Sequence, residues 1–456
     1  MTKPSLPQGT RDFNAETVRK RTHILQTIRE VFELFGFEPL ETPAMENLDT
    51  LMGKYGDEGD QLIFKILNNG LHHPAKQQQA TEDFAMVVSG RSHSGITERA
   101  LRYDLTIPFA RYVAMNHGQL ALPFRRYQVQ PVWRADRPQR GRYREFYQCD
   151  ADVVGSYSLL NEVELMRMYQ LVFKRLNIPV EIRINSRKML AALAETCGAP
   201  DRLTDITVAI DKLDKAGSEK VKDELSQKGF SASQVALIDR YFEAAGDNTT
   251  RLSHIKSLLQ KSDAAEKGAA EIEYLLSYAG DQPSAPVLFD PTLARGLNYY
   301  TGIIFEVKAT GIQMGSIGGG GRYDDLTGSF GVKGIPGVGI SFGVDRIYDV
   351  MEELDVFPAG VQAGTQLIFF NMGEEESRLA VSVAGMLREK GVRAEIYPDK
   401  SKLDKQFKYA DRKGIGYALI IGDQELANGT CTVKNLRTGS QETVPLENLT
   451  TMNFAL

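Results

Sequence analysis

The arginine-rich stretch WRADRPQRGRYREFYQCD, residues 133–150, constrains the fold most strongly. Strand-like RRYQVQPVW leads into a loop that holds Asp136, Pro138 and Gly141, and strand-like YREFYQCD follows. Runs of β-forming residues on both sides of a short polar loop predict an antiparallel pair of strands. Other segments of strand composition lie at short distances along the chain: LIFKIL, FAMVVSG and EFYQCDADVVG. We therefore expect a largely antiparallel sheet in this part of the chain.

The composition changes along the chain in a way that indicates several domains. A chain of 456 residues is too long for one ordinary domain. Between about 186 and 280, residues such as Ala, Lys, Glu and Leu dominate in helical patterns typical of an all-helical insertion. After a Pro/Gly linker at 358–364, strand-like and helical segments alternate as βαβαβ. We predict one domain at 1–357, which includes the insertion, and a separate α/β domain at 365–456.

Several classes of protein are disfavoured. No stretch approaches the roughly 18 apolar residues that cross a bilayer, and the N-terminus does not resemble a secretory signal. Cys149, Cys197 and Cys431 lie far apart without CxxC spacing, and the six histidines include no HExxH. We therefore expect a cytoplasmic protein with no membrane contact and no metal held by His or Cys. Because the net charge is −5, any nucleic acid must be bound by local basic patches.

The arginines of the opening stretch suggest an anionic ligand. They are Arg134, Arg137, Arg140, Arg142 and Arg144. A guanidinium donates two parallel hydrogen bonds to a phosphate, and Phe146 offers an aromatic face for a purine. Acidic residues interleave with the arginines, which favours a nucleotide pocket over a uniform phosphate groove. A nucleic-acid surface and an ordinary solvated loop remain alternatives at this point.

Two glycine-rich stretches are candidates for a ligand site. GSIGGGGRYDDL, residues 315–326, lacks the GxxxxGK[ST] phosphate-loop pattern. It is therefore either a flexible turn or a place where the backbone approaches a ligand closely. GVGISFGVDRIYDVM, residues 337–351, is a strand that runs into a helix carrying Arg346. On its own, Arg346 could equally be a surface arginine.

Two further stretches carry polar side chains next to predicted elements. LARGLNYYTG places Arg295, Tyr299 and Tyr300 just before a strand, where a turn with core aromatic residues is the plainer interpretation. In LRYDLTIPFARYVAM, Asp104 and Thr106 precede a helix. An acid at that position either receives an ammonium group or caps the helix.

Taken in order along the chain, these stretches resemble the motifs of class II aminoacyl-tRNA synthetases. An Arg-containing strand, a loop and RxxxF from Arg142 to Phe146 are similar to motif 2 of that class, and the later strand and helix with Arg346 to motif 3. GFEPLETPAME is similar to motif 1, which forms part of the class's dimer interface. LARGLNYYTG and IGGGGRYDDL resemble the two stretches peculiar to histidyl-tRNA synthetases.

The resemblance covers almost the whole chain and implies a fold, a reaction and partners. The implied fold is multidomain α+β: an antiparallel sheet flanked by helices, a helical insertion, and a C-terminal α/β anticodon-binding domain. The implied reaction has two steps. The carboxylate of L-histidine attacks the α-phosphorus of ATP, with Mg²⁺ sharing the neutralisation of charge, and the histidyl group then passes to the 3′ end of histidine tRNA. A homodimer is also implied.

The resemblance assigns roles to individual residues. Arg134 would contact the α-phosphate and Arg142 the outer phosphates, while Phe146 and Arg346 would sandwich the adenine. Arg295 would be the catalytic arginine, acting with Arg134. The residues implied to bind histidine are Asp104, Leu105, Thr106, Gln148, Asp152, Arg295, Tyr299 and Tyr300. Among these, Asp104, Thr106 and Gln148 would hold the amino group, and Asp152 with the two tyrosines would recognise the imidazole.

Two positions depart from the family pattern, and other readings remain. Asn298 stands where the family usually has Asp, and Asp136 where many class II enzymes have Glu. The main alternative is a non-catalytic, synthetase-like regulatory subunit of ATP phosphoribosyltransferase. A sibling synthetase and a simple nucleic-acid-binding protein are further alternatives. In the terminal domain, residues 400–413 carry a local surplus of positive charge that favours an RNA backbone.

Overall fold

The computed structural model describes residues 3–90, 92–294, 299–362 and 364–454. The chain forms two compact units. The first comprises the residues up to Arg11 together with His23–Val356, and the second Asp12–Thr22 together with the residues from Phe357 onward. The predicted domain limits at 357 and 365 remain predictions. No helix in the described part of the chain is long and apolar enough to span a membrane.

The first unit is built on a large sheet. A small second sheet accompanies it. The strands of the two sheets are, in chain order, β1 (Glu38–Pro39), β2 (Met45–Asn47), β3 (Lys65–Ile66), β4 (Arg99–Leu101), β5 (Phe124–Trp133), β6 (Glu145–Val154), β7 (Val180–Ser186), β8 (Val287–Phe289), β9 (Ile303–Ala309), β10 (Gly318–Tyr323) and β11 (Gly337–Gly343). Among the described residues the large sheet has the order β1-β5-β6-β11-β10-β9-β7-β8, and the small one β2-β4-β3. The large sheet is antiparallel except for the pairs β1/β5 and β7/β8.

The helices that begin in the chain before Val356 surround this sheet or form the insertion. They are α1 (Ala15–Leu34), α2 (Leu48–Leu51), α3 (Gly56–Gln61), α4 (Gln77–Val88), α5 (Thr106–Asn116), α6 (Leu160–Arg175), α7 (Arg187–Thr196), α8 (Leu203–Asp211), α9 (Leu213–Ala216), α10 (Ser218–Gln227), α11 (Ala232–Phe242), α12 (Asn248–Leu258), α13 (Asp263–Ser277) and α14 (Val344–Leu354). Elements α7 to α13 confirm the helical texture predicted for about 186–280.

Side-chain alternation gives the centre of the large sheet one apolar and one polar face. Val129, Cys149 and Phe342 point to the apolar face, where the ring of Tyr169 on α6 lies 4.8 Å from that of Phe342. The opposite face carries polar side chains at three alternate positions in the middle of each strand, 126–130 on β5 and 148–152 on β6, because successive residues of a strand point to opposite faces. The apolar face is the core, and the polar face is available for a site.

One strand prediction is wrong. FAMVVSG, residues 84–90, lies mostly in α4 and not in a strand. The segment QQQATED before it consists largely of good helix formers, and these extend the helix through the apolar residues until Gly90, where φ is +88°. Phe84 and Val88 are largely exposed in this helix. LIFKIL, at 62–67, contributes only the two-residue strand β3.

The second unit has a five-stranded sheet among the described residues, in the order β13-β12-β14-β15-β16. Its strands are β12 (Leu367–Phe369), β13 (Ala394–Ile396), β14 (Tyr417–Ile420), β15 (Thr430–Asn435) and β16 (Gln441–Pro445), and its later helices are α15 (Ala359–Gln362), α16 (Glu374–Glu389), α17 (Leu403–Arg412) and α18 (Asp423–Asn428). The βαβαβ prediction is confirmed. The two antiparallel strands β15 and β16 extend the sheet, and α15 is a single helical turn within the predicted linker.

Candidate active site

An open cavity of about 160 Å³ lies beside the β5–β6 loop, the end of β11 and the start of α14. Its lining consists of Arg134, Asp136, Gly141, Arg142, Tyr143, Phe146, Gln148, Ser316, Ser341, Gly343, Asp345 and Arg346. All four residues predicted to bind ATP line it, and so does Gln148. The structure therefore brings together side chains that are more than 200 residues apart in sequence.

Arg134 is held in place by backbone and aromatic contacts. Its Nε donates to the carbonyl of Tyr103 (3.0 Å), and one terminal nitrogen donates to Oε1 of Gln148 (3.4 Å). The guanidinium lies over the rings of Tyr103 and Phe146, 4.3 Å and 5.2 Å from their centroids. These contacts hold the guanidinium at the cavity wall, and no described carboxylate forms an ion pair with it that would compete with an anionic ligand.

Arg142 stands at the end of the tight loop. Backbone hydrogen bonds in both directions between Gln139 and Arg142 close the turn, and Gly141 adopts φ +69°, which a residue with a side chain rarely tolerates. The Arg142 side chain is 47% exposed and forms a long ion pair with Asp136, at 3.7 Å. It therefore remains able to bind a phosphate at the mouth of the cavity.

Arg346 joins the loop to the glycine-rich segment before β10. Its Nε donates to the carbonyl of Gly141 (2.9 Å), and another nitrogen to that of Ser316 (2.7 Å). A Cβ on Gly141 or Gly315 would lie 3.1–3.2 Å from this side chain. Glycine at these two positions leaves the room that the guanidinium occupies.

The polar sheet face continues inward from the cavity. Gln148, Asp150 and Asp152 alternate along β6, and the last two are almost completely buried. On β5, Arg126 is fully buried opposite Asp152 and forms an ion pair with it at 2.9 Å. Gly339 on β11 leaves space for Asp152, because a Cβ there would lie 1.9 Å from Oδ1 of the aspartate.

Burial perturbs the acids of this face. It raises the pKa of Asp152, a shift that the Arg126 guanidinium and the hydrogen bond from Tyr323 (2.5 Å) oppose. Burial also raises the pKa of Asp150 to about 7, again against the influence of Arg126. A single buried guanidinium thus faces two carboxylates, and clusters of perturbed acids of this kind are typical of functional sites.

Asp104 is buried at the start of α5, and its two carboxylate oxygens differ in their contacts. Its Oδ1 accepts hydrogen bonds from the backbone N–H of Ile107 (3.1 Å) and the hydroxyl of Tyr55 (2.9 Å), so the capping interpretation is confirmed. Its Oδ2 is buried and has no hydrogen-bond partner among the described residues. Burial raises the pKa of Asp104, whereas the Ile107 N–H lowers it. The unused oxygen leaves an acceptor for a ligand.

Three further predicted histidine ligands and Leu105 lie close to Asp104: Thr106, Tyr299 and Tyr300. Tyr299 and Tyr300 pack edge to face, with ring centroids 5.1 Å apart, and Tyr299 hydrogen-bonds the side chain of Thr106. Leu105 is fully buried, and its carbonyl accepts a hydrogen bond from Arg126 (3.3 Å). Asp104 and Asp152 are near enough to raise the pKa of Tyr300, although burial contributes more.

Comparison with known proteins assigns the chain to a family. Residues 77–347 match the family described as histidyl-tRNA synthetase, and residues 366–452 match the anticodon binding domain. The histidine–tRNA ligase of Porphyromonas gingivalis is 52% identical over 448 residues, which cover 98% of both chains. That of Phocaeicola vulgatus is 51% identical over the same length. This chain belongs to the histidyl-tRNA synthetase family.

A solved structure of the family has the same fold. The histidyl-tRNA synthetase of Nostoc sp. PCC 7120 superimposes with a TM-score of 0.80 at 31% identity, over 99% of both chains. The predicted fold class is therefore confirmed. A structure described as an ATP phosphoribosyltransferase regulatory subunit/histidyl-tRNA synthetase from Bacillus halodurans C has a TM-score of 0.70 at 21% identity. That likeness concerns the fold alone.

Two of the positions discussed from the family resemblance cannot be placed. Arg295 and Asn298 lie outside the described residues. The flexible-turn interpretation of GGGG is wrong: residues 318–321 lie in β10, in the interior of the large sheet.

The structure also separates the arginines that the synthetase resemblance left unassigned. Arg140 forms an exposed ion pair with Glu353 (2.6 Å). Arg144 donates to the carbonyls of Asp136 (3.1 Å) and Gln8 (3.4 Å), so it braces the loop. Arg137 is exposed and has no ion pair among the described residues.

Three polar residues of the site were not predicted from the sequence. Arg126 and Asp150 are buried on the polar face of the sheet and Ser341 is partly buried beside them, and the sequence patterns assign none of the three a role. One sequence pattern does indicate the buried polar face. In QVQ and QCDAD, polar residues occupy every second position, and in a sheet interior this alternation places them all on one buried face.

Proposed function

We propose that this chain activates L-histidine with ATP and transfers the histidyl group to the 3′ end of histidine tRNA. The observation that carries the proposal is that groups suited to bind ATP lie next to groups suited to bind histidine. A cavity with three arginines and an aromatic ring adjoins a buried polar face that carries Asp152 and ends at Asp104. Relatives about 50% identical over the full length are named histidine–tRNA ligase.

The cavity suits ATP. We propose that the adenine stacks between Phe146 and Arg346, that Arg134 contacts the α-phosphate and that Arg142 contacts the outer phosphates. The positions of the two arginines support this assignment of the phosphates, because Arg134 lies at the inner wall of the cavity beside Gln148 whereas Arg142 is half-exposed at the loop. Guanidinium groups bind phosphate through paired, charge-assisted hydrogen bonds.

The buried polar face suits histidine. The ammonium group would be bound by Oδ2 of Asp104, which lacks another partner among the described residues, together with Thr106 and Oε1 of Gln148. Asp152, Tyr299 and Tyr300 would recognise the imidazole, because a neutral imidazole has one donor and one acceptor nitrogen. Recognition by buried hydrogen bonds rejects side chains that cannot match them.

The reaction depends on position and charge neutralisation. A carboxylate oxygen of histidine forms a bond to the α-phosphorus of ATP while the bond to the bridging oxygen breaks, and pyrophosphate leaves with that electron pair. Arg134 stabilises the charge that develops on the α-phosphate oxygens, and from the family resemblance we assign the second cation to Arg295. The terminal ribose hydroxyl of the tRNA then attacks the histidyl carbonyl, and AMP leaves.

Mg²⁺ is compatible with the residues present. Asp136 and Asp345 line the cavity, and carboxylate oxygens are donors that Mg²⁺ prefers. Asp345 is ion-paired with Arg11 (2.5 Å), so Asp136, together with the phosphates of ATP, would hold the ion, which would share the neutralisation of phosphate charge.

We also propose a cytoplasmic homodimer. Met45 on β2 and Leu67 beside β3 are exposed large apolar side chains near the segment that resembles motif 1, and such residues are typical of association surfaces. The three cysteines are buried and form no disulfide among the described residues, as expected in a reducing compartment. Light scattering coupled to size-exclusion chromatography tests the dimer, and a monomeric mass would contradict it.

Histidine-dependent exchange of labelled pyrophosphate into ATP, run beside the other amino acids, tests the activity. We expect exchange with histidine alone. Exchange with another amino acid would indicate a sibling synthetase. Exchange with none would favour the non-catalytic regulatory subunit, and either result overturns the proposal. Charging of histidine tRNA then tests the second step.

A further inference from the structure

Residues 7–11 of the N-terminal segment lie against the loop between β5 and β6. The carbonyl of Gly9 accepts a hydrogen bond from the backbone N–H of Arg144 (2.9 Å), and the carbonyl of Gln8 accepts one from the Arg144 side chain (3.4 Å). The fit is close: Gly9 adopts φ +83°, and a Cβ on it would lie 2.8 Å from Cγ of Arg144 and 2.9 Å from Cγ of Pro138. The segment therefore packs directly on the outside of the loop.

Arg11, at the end of this segment, contacts two elements that line the cavity. Its guanidinium carbon lies 3.2 Å from the ring centroid of Tyr143, which belongs to the loop. One terminal nitrogen donates to Oδ1 of Asp345, 2.5 Å away, in the first turn of α14. A guanidinium can make both contacts at once, because its flat face stacks on a ring while its edge donates to a carboxylate. Tyr143 and Asp345 line the cavity, whereas Arg11 lies behind them.

The two contacts act on the immediate neighbours of residues that would bind ATP. Tyr143 directly follows Arg142, the arginine proposed for the outer phosphates. Asp345 directly precedes Arg346, which would stack on the adenine. Arg346 itself donates to a backbone carbonyl of the loop (2.9 Å). The loop and α14 are thus joined on the cavity side by Arg346 and on the N-terminal side by Arg11.

The ion pair also changes the charge that the cavity presents to ATP. The Asp345 side chain is only 5% exposed, and that of Arg11 is 28% exposed. A poorly solvated carboxylate without a partner would repel the phosphates of ATP. Pairing with Arg11 offsets that charge while leaving the guanidinium outside the cavity.

We propose that Arg11 is a positioning residue for ATP: it fixes the spacing between the loop and α14, and hence the gap in which the adenine stacks. This inference rests on the proposed function, in which the adenine lies between Phe146 and Arg346. Arg11 touches neither substrate. It acts before ATP binds, because side chains that are already held at the required spacing need not be ordered on binding.

Arg11→Gln tests the inference. We expect the KM for ATP in pyrophosphate exchange to rise about tenfold, with kcat at saturating ATP and the KM for histidine within about twofold of wild type. The KM for histidine is spared because Asp104 and Asp152 lie on elements that Arg11 does not join. Arg11→Lys keeps the charge opposite Asp345 but loses the flat face over Tyr143, so it should reduce the rise to about two- to threefold.

Arg202→Gln is the matched control. Arg202 forms an ion pair with Asp205 (2.9 Å) and lies 3.8 Å from the ring centroid of Phe230, so it combines the same two kinds of contact. It belongs to the helical insertion and does not line the cavity. We expect this variant to leave both KM values unchanged.

Calorimetric titration with ATP in the absence of histidine measures the same effect without catalysis. The Kd for ATP should rise about tenfold in Arg11→Gln. An unchanged Kd and KM for ATP, an equal rise in both KM values, or an equal effect of Arg202→Gln would overturn the inference. Should Arg11→Gln not fold, as reported by the fluorescence of Trp133, a Kd for ATP in Arg11→Lys equal to that of wild type would do so.

The titration also separates this inference from the proposed function. If wild type binds ATP but shows no exchange with histidine, the proposed function fails, and the change in Kd for ATP still decides the role of Arg11. If wild type does not bind ATP, both fail.

Discussion

At the scale of single residues, the arginines of one loop differ in their surroundings and hence in what they can do. Arg134 is oriented by a carbonyl and two rings, Arg140 is neutralised by Glu353, and Arg144 braces the backbone. Only Arg142 combines exposure with a place in the cavity lining. Charge counting along the sequence cannot make this distinction, because it depends on which partners the fold supplies.

Arg142→Ala should weaken ATP binding specifically. Removal of a charge-assisted contact with a phosphate at a half-exposed position should raise the KM for ATP roughly tenfold. Initial rates of pyrophosphate exchange at varied ATP concentration measure this change. Arg137→Ala is the matched control, since it removes the same charge from an exposed position of the same loop that does not line the cavity. An equal rise in KM in both variants would show that only the overall charge of the loop matters.

Asp150 should make stability depend on pH. Its pKa is about 7 in the folded protein against an ordinary 3.8, so the folded state holds the proton more tightly than the unfolded chain. The free energy of unfolding therefore falls as pH rises from about 4 to 7. Charged and titratable groups around Asp150 are Arg126, Asp152, Asp104, Tyr169 and Tyr300.

Asp150→Asn removes this pH dependence. Relative to wild type, the variant should gain roughly 2 kcal/mol of unfolding free energy between pH 5 and pH 8. Urea unfolding followed through Trp133, the single tryptophan, measures the first unit at both pH values. The neighbouring acids titrate in both proteins, so their contributions largely cancel in the difference. A difference that is constant with pH would contradict the raised pKa.

At the scale of elements, the approach of neighbouring strands requires glycine at some positions of β10 but not at all of them. A Cβ on Gly320 would lie 2.2 Å from the carbonyl oxygen of Gly339 and 2.7 Å from the Cα of Ile340. A Cβ on the adjacent Gly319 would make only an ordinary contact, 3.5 Å from the carbonyl oxygen of Phe305. Two neighbouring glycines in one strand thus have opposite tolerance for a side chain.

Gly320→Ala should therefore destabilise the first unit far more than Gly319→Ala. We expect a loss of roughly 2–4 kcal/mol for Gly320→Ala, because backbone atoms must move, and less than about 1 kcal/mol for Gly319→Ala. Urea unfolding monitored by Trp133 fluorescence gives both values. Equal losses in the two variants would show that the spacing between β10 and β11 relaxes freely.

Elements with strong periodicity were predictable from the sequence, and elements defined by tertiary contacts were not. Helices α1 and α6 and the pair β5/β6 follow directly from apolar spacing and turn residues. The strand character of GGGG could not be predicted, because glycine has low β propensity and only the approach of β9 and β11 explains it. In the same way, the family motifs predicted the cavity residues, whereas buried Arg126 and Asp150 become apparent only when β5, β6 and β11 are paired.

At the scale of the whole molecule, an acidic chain must meet RNA through a local surface. In the second unit, α17 buries Gln406 and Ala410 and exposes the cations of residues 400–413 on its other side. Lys413 forms an ion pair with Glu395 (2.6 Å). The exposed cations without an ion pair among the described residues are Lys400, Lys402, Lys405, Lys408 and Arg412. We propose that this surface binds the phosphate backbone of the tRNA.

Lys408→Gln should reduce charging of tRNA without affecting activation of histidine. Loss of one phosphate contact should raise the KM for tRNA about two- to tenfold. It should also lower the slope of log KM against the logarithm of the salt concentration by roughly one. The KM for histidine and ATP in pyrophosphate exchange should stay unchanged, because that step does not involve tRNA. Arg378→Gln on α16 is the matched control: it removes one exposed helical charge that is already paired with Glu374 (2.8 Å). Unchanged charging by Lys408→Gln, or an equal loss in the control, would remove α17 from the RNA-binding surface.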